Sequence, residues 1–285
     1  MAGPSKIEWT QATWNPVTGC SHASAGCDHC YAVRMTHRLA HMATDKYDGL
    51  THLNARGERH FNGVVRCHDD VVERPLSWNT PTTIFVNSMA DLFHRKVPTA
   101  FIHRVFEVMA ACPHHTFQVL TKRPERAAKL SAELPWRENI WMGTSVEDQR
   151  VVERIDHLRK TGADCRFLSV EPLIGPIPRL SVAGIGWVIT GGESGPGARP
   201  VDAAWVRSLR DRCERYDVPH FFKQWGRLAN NPDPLDPTAK QNGGSAKGGR
   251  LLDGRTWDEM PGRPWMLKRP ARDRRSIRLG LLEVA

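Results

Sequence analysis

The chain has 285 residues, 40% of them hydrophobic, enough for one large domain or one domain with an extension. No stretch reaches the roughly 18 uncharged apolar residues of a membrane span, and the start, MAGPSKIEWTQ, has neither the basic nor the apolar region of a secretory signal, so a cytoplasmic protein without a membrane partner is expected. Lysine and arginine outnumber aspartate and glutamate by 40 to 31, a balance that suits a nucleic-acid partner and equally a solvated basic surface.

The first strand is predicted near Ile7–Thr13. It leads into a loop, residues 19–32, that holds Cys20, Cys27 and Cys30, followed by a helix over about 31–42. A reducing cytosol disfavours disulfides, so three clustered cysteines point to a metal centre. The other four, Cys67, Cys112, Cys165 and Cys213, are scattered and read as small core hydrophobes. Three thiolates on a short loop can converge on one face of a 4Fe–4S cluster, and Gly19 and Gly26 let the loop fold back. Structural iron–sulfur and zinc sites normally take four ligands; three leave one iron open, which is where a small molecule can be activated. The rival is zinc held by these cysteines with His22 or His29.

Residues 43–80 read as an insertion. One plan then repeats: a short apolar run ending in small or polar residues, then a stretch with helical spacing. The runs are Thr83–Asn87, Thr116–Thr121, Ile140–Thr144, Arg166–Val170, Trp187–Gly191 and His220–Lys223. Helices are predicted over 99–111, 124–133, 147–161 and 202–216, with apolar residues three and four apart, as in Val151, Val152, Ile155 and Leu158. Such alternation implies parallel pairing and right-handed crossovers. The expected fold is therefore α/β, a partial (β/α)6-type parallel barrel over 1–225 with an N-terminal iron–sulfur loop. A C-terminal extension over 226–285 comprises a Gly- and Pro-rich loop to 250, a short hairpin at Leu251–Pro261 and a basic tail, Arg263–Arg278, with seven basic residues and one acid.

In such a barrel the loops after the strands form the functional face. Polar residues recur there: Asn87, Ser88 and Asp91; Thr121, Lys122 and Arg123; Thr144, Ser145 and Glu147; Ser169 and Glu171; and Thr190–Gly195. Ser145 also suits a helix cap. Glu171, just before Pro172, is expected to point a carboxylate into the barrel mouth and is a cofactor-contact candidate. Gly191–Gly197 fits a phosphate or adenine contact through its amides, or a plain tight turn. Lys122, Arg123 and the basic tail could guide nucleic acid, with Trp225, Trp257 and Trp265 either stacking on bases or anchoring the core.

The loop sequence Cys27-Asp28-His29-Cys30-Tyr31-Ala32, after an early strand and before a series of β/α units, resembles the radical S-adenosylmethionine superfamily. More narrowly, Trp14–Cys20 (WNPVTGC) and Leu252–Trp257 (LDGRTW) resemble a phage-associated family of uncharacterised three-cysteine proteins, over nearly the whole chain. The superfamily resemblance implies a 4Fe–4S cluster, S-adenosylmethionine cleaved to a 5′-deoxyadenosyl radical, and an electron donor such as flavodoxin or ferredoxin. The gaps between the cysteines are six and two residues, where the superfamily usually has three and two, and His29 stands where an aromatic residue is usual. The superfamily's Gly-Gly-Glu motif, which steadies the methionine amino group, follows the second strand. Asn87 and Ser88 occupy that place here, while Gly191-Gly192-Glu193 follows a much later strand and is a further cofactor-contact candidate. Thr144, Ser145 and Glu147 suit ribose or carboxylate contacts.

The expected function is a radical S-adenosylmethionine-type enzyme acting on a nucleic acid or nucleotide in a phage or DNA-related process. The alternative is a non-catalytic nucleic-acid-binding protein with a structural zinc or cluster. A third reading, a hydrolase of phosphorylated substrates built on Gly191–Gly197, makes the cysteines dispensable.

Overall fold

Short runs rich in β-branched and aromatic residues, each followed by an amphipathic stretch, bury both faces only when helices cover a parallel sheet. In the computed structural model of the protein, which describes residues 2–5, 7–42, 45–239 and 248–262, these runs form seven parallel strands. They are β1 (Ala12–Trp14), β2 (Thr83–Val86), β3 (Thr116–Thr121), β4 (Ile140–Ser145), β5 (Arg166–Val170), β6 (Trp187–Thr190) and β7 (His220–Phe222). Neighbours in the chain are neighbours in the sheet, so the molecule is an open partial barrel, with Ala2–Pro4 antiparallel to β1.

Helices α1 (Tyr31–Ala40), α2 (Thr99–Ala110), α3 (Pro124–Leu130), α4 (Arg154–Arg159) and α5 (Ala203–Arg215) carry the crossovers. The link from β5 to β6, residues 171–186, contains no helix. Among the described residues no helix is long and apolar enough to cross a membrane.

Alternation along the strands splits the apolar residues between two cores. Ile84, Val86, Leu168, Val188 and Phe222 face outward and pack under Ile102, Val105, Phe106, Leu158 and Val206 of the helices. Phe85, Phe167, Trp187, Ile189 and Phe221 face inward and, with Trp9 and Met260, fill the barrel. Trp187 touches Trp9, Trp141, Phe167 and Phe221 at ring separations of 5.7–6.2 Å, edge-on or tilted. Each such buried aromatic contributes about 1.5–3 kcal/mol through lost water contact.

Three expectations shift. The first strand starts at Ala12, because Ile7 and Trp9 belong to the inner aromatic cluster rather than to a ladder. The helix expected over 147–161 is a turn at Gln149–Val151 followed by α4, and the cap of that turn is Asp148, whose side chain accepts from the Arg150 amide at 2.8 Å. Ser145 is still in β4 and caps nothing. The insertion holds a ribbon, Thr51–Leu53 with Arg59–Phe61, and a strand, Arg66–Cys67, paired with Val17–Thr18 before the cysteine loop.

The short hairpin expected at 251–261 is reduced to one bridge, Leu252 with Arg255, and its second arm pairs with β7 through Phe221 and Asp258. Donation from the Phe222 amide to Trp257 O (2.8 Å) and from the Glu259 amide to His220 O (3.2 Å) covers the open edge of the sheet. Leu252, Trp257 and Met260 are buried against the barrel. The basic tail, Trp265 and residues 240–247 lie outside the described residues.

Candidate functional site

The cysteine loop crosses the mouth of the barrel at the C-terminal ends of the strands, and three separate polar anchors fix it. The first is Glu147, 1% exposed, which accepts from Ser24 Oγ (3.0 Å), Lys122 Nζ (2.5 Å) and Arg154 Nη1 (3.0 Å). A Cβ on Gly26 would come within 2.4 Å of this carboxylate's Cγ, so the loop settles here only with glycine at that place. The second is Glu193, 4% exposed, which accepts from His29 Nδ1 (2.8 Å) and from the Arg199 amide and guanidinium (2.6–2.9 Å). Arg199 also donates to Ala25 O (2.8 Å) and Asp28 (3.1 Å).

The third anchor is Arg123. Its guanidinium binds Asp91 at 2.7 Å and the Ser21 carbonyl and hydroxyl at 2.9 and 3.0 Å, and lies 3.9 Å from Cys20 Sγ. His94 Nδ1 accepts from the Lys96 amide (3.2 Å), which leaves the proton on Nε2 to donate to Ser21 Oγ at 2.8 Å.

These contacts set the ionisation of the mouth. Burial pushes the Glu147 carboxyl up, but Lys122 and Arg154 outweigh it and hold it below the usual carboxylate range. Glu193 is likewise raised by burial and lowered further by the hydrogen bonds from Arg199 and His29. Burial, then the Arg123 charge, drives His94 down to about 4. Burial and the nearby Asp91 carboxylate push the Cys20 thiol up to about 12 against the pull of Arg123, and burial followed by Cys27 raises Cys30. A metal centre that takes these sulfurs as thiolates therefore releases protons on binding.

Under the loop lies a cavity of about 590 Å³. Cys20, Cys27 and Cys30 all line it, as do Asn87, Ser88, Ser145, Glu171, Gly192 and Glu193 from the expected site residues. Asn87 takes a positive φ of 58°, its Oδ1 accepts from the Val17 amide (3.1 Å), and its buried Nδ2 has no partner among the described residues. Thr144, Glu147 and Gly191 are not among the lining residues. The Thr144 hydroxyl donates to Thr121 O at 2.9 Å, inside the sheet.

Several expected roles are overturned by these contacts. Gly191 and Gly192 cannot cradle a phosphate, because their amides already donate to Val170 O (3.2 Å) and Gln224 O (2.8 Å). Lys122 and Arg123 are matched by Glu147 and Asp91 and are not free to guide nucleic acid. Trp225 and Trp257 are buried, with their Nε1 groups donating to Leu251 O and Leu252 O, so they anchor the C-terminal segment and present no stacking face. His22 and His29, the histidines a zinc site would recruit, are turned to Asp28 (2.7 Å) and Glu193 (2.8 Å). Among the described residues no three His, Cys, Asp or Glu side chains group as ligands of a single ion.

Lys223 and Gln224, absent from the expected site residues, line the cavity just beyond β7. The signal was available, because they follow an apolar run as Glu171 follows β5. Lys223 was absorbed into the strand instead. Arg199 and His94 carry no motif and become visible only through the contacts they make.

No curated protein matches the chain. Among solved structures it is similar to spore photoproduct lyase complexed with dinucleoside spore photoproduct, at 13% identity and a TM-score of 0.47, covering 88% of this chain and 71% of that one. It is also similar to a mutant of that lyase with bound AdoMet and dinucleoside spore photoproduct, at 12% identity and a TM-score of 0.46, covering 87% and 70%. The family described as "Protein of unknown function (DUF5131)" matches residues 4–261, and the chain belongs to it.

Proposed function

We propose that the protein is a radical S-adenosylmethionine-type enzyme with a nucleic-acid or nucleotide substrate. The observation that carries this reading is the placing of Cys20, Cys27 and Cys30 around one cavity at the mouth of a parallel partial barrel, with no fourth cysteine on the loop. The donor set fits a 4Fe–4S cluster: three cysteines line one cavity, and the adjacent histidines are paired with carboxylates. When bound, such a cluster with S-adenosylmethionine at its open iron supplies one-electron reductive cleavage, the source of a 5′-deoxyadenosyl radical.

The chain's own residues do the rest. Glu147, Glu193 and Arg123 hold the loop rigid, and Arg123 places positive charge beside Cys20 Sγ, where it stabilises a thiolate. Asn87, Ser88 and Ser145 offer polar groups to the cofactor's methionine and ribose portions. The inner aromatic cluster closes the cavity from below and excludes water from a reactive intermediate. The net charge of +9 supports the choice of a polyanionic substrate.

The test is anaerobic reconstitution with iron and sulfide, reduction, and addition of S-adenosylmethionine, with 5′-deoxyadenosine read by mass spectrometry. Its formation is expected, and Cys27→Ala is expected to remove both the cluster absorbance and the product. A reduced, loaded protein that binds the cofactor yet gives none, with DNA, RNA and nucleotides each supplied, would end this reading.

A further inference from the structure

Besides Asn87, Ser88 and Ser145, two sets of polar groups stand at the mouth. Glu147, Glu193, Lys122, Arg123 and Arg199 are consumed in holding the cysteine loop. Ser169, Glu171, Lys223 and Gln224, at the ends of β5 and β7, take no part in that. Glu171 and Lys223 pair at 2.9 Å and remain 18% and 19% exposed. The Ser169 hydroxyl and the Gln224 amide belong to buried residues that line the cavity, and neither side chain bonds to a described residue. Two side chains without a partner among the described residues, beside a charged pair lining the same cavity, offer a ligand a compact set of hydrogen-bonding groups.

The chemistry of the wall selects that ligand. Lys223 is matched by Glu171, and the Glu8 carboxylate acts on it as well, so the wall has no unmatched positive charge for an anion. It presents an ammonium donor, a carboxylate acceptor, a hydroxyl and an amide, a set that pairs with a neutral edge carrying donors and acceptors side by side. Ile7, Trp9, Phe85 and Leu120 line the same cavity and give it an apolar, partly aromatic surface suited to a flat ring.

We propose that Ser169, Glu171, Lys223 and Gln224 form a recognition site for a neutral heteroaromatic base, the reacting unit of the substrate, separate from the cofactor's place beside the cysteines. This rests on the reading of the cavity as an active site. The base would enter the barrel while the backbone to which it is attached stays outside.

Isothermal titration of the cluster-loaded full chain with adenosine, guanosine, cytidine and thymidine tests it, alone and with saturating S-adenosylhomocysteine as a non-cleavable stand-in for the cofactor. At least one nucleoside is expected to bind in both conditions. Glu171→Gln is expected to weaken it about tenfold or more, since a charged hydrogen bond is altered, and Ser169→Ala several-fold. The Ser169 side chain has no hydrogen-bond partner among the described residues, so its variant is expected to keep the melting temperature and guards against misfolding as the explanation. S-adenosylhomocysteine affinity is expected to be unchanged in both.

The proposal is overturned if no nucleoside binds at millimolar concentration, if binding ignores both substitutions, or if inorganic phosphate binds through Lys223 instead. It is also overturned if S-adenosylhomocysteine displaces the nucleoside or the variants lose S-adenosylhomocysteine, since the wall then belongs to the cofactor. If nucleoside binding depends on Glu171 while S-adenosylhomocysteine does not bind at all, the base site stands and the radical-enzyme reading fails.

Discussion

Glu147 has three donors and lies beneath the loop it holds, so its worth is set by the charges it neutralises. Glu147→Ala leaves Lys122 and the buried Arg154 unmatched and is expected to cost about 3–5 kcal/mol in chemical denaturation, while Glu147→Gln, which still accepts from Ser24, costs less. His94 gives a pH signature of its own. Its folded-state pKa, about 4, lies below the ordinary 6.5, so the unfolded chain binds the extra proton between those values. Stability is therefore expected to fall as pH drops from 6.5 toward 4 and to be fully present above 6.5; a denaturation midpoint in His94→Gln that keeps the wild-type slope over this window would refute the assignment. Residues of this kind divide what the sequence shows from what it hides. Cys20, Cys27 and Cys30 announce themselves because their chemistry is local and closely spaced. Glu147 and Glu193 follow strands, where cofactor contacts are expected, and only tertiary contacts with Ser24 and His29 reveal that they also anchor the loop.

At the level of elements, the strands from β2 to β7 were legible because their apolar runs and the spacing of the helices between them follow from burial on two faces. The first strand was misplaced because Ile7 and Trp9 are equally apolar but face inward off the ladder, a distinction that depends on the closed side of the barrel. The 147–161 helix was overextended because Glu147 and Asp148 favour helical spacing locally yet are held by Arg154 and Arg150 in a loop. The cysteine loop fits closely against the segment that follows β4. Gly26→Ala would force a methyl into the Glu147 carboxylate, whose own partners restrain it. A cost of about 1–3 kcal/mol is expected, concentrated in the loop. Hydrogen exchange should therefore rise over residues 19–32 and the iron retained per chain should drop, with the sheet amides unchanged; exchange rising evenly across the sheet would contradict this.

Across the whole molecule, an open seven-stranded half-barrel has one exposed edge at each end, and the chain covers both with antiparallel segments, Ala2–Pro4 on β1 and the stretch around Asp258 on β7. The aromatic interior closes the bottom, and the cysteine loop, with its glutamate and arginine anchors, narrows the top. Between them lies a cavity lined by the three cysteines and by Ser169, Glu171, Lys223 and Gln224. The alternation of apolar runs with helical spacing foretold the class of fold. It could not foretell that Lys122, Arg123 and the tryptophans would be occupied inside the protein, because such pairing depends on which carboxylate or carbonyl each one meets after folding.

If Cys20, Cys27 and Cys30 hold a cluster with one iron open to S-adenosylmethionine, the cofactor changes that iron's surroundings when it binds. Electron paramagnetic resonance of the reconstituted, reduced protein tests it most directly. The expected spectrum is that of a reduced 4Fe–4S cluster whose g values shift when S-adenosylmethionine is added, and it is absent in Cys27→Ala. A signal that the cofactor leaves unchanged, or one that survives loss of Cys27, would contradict it.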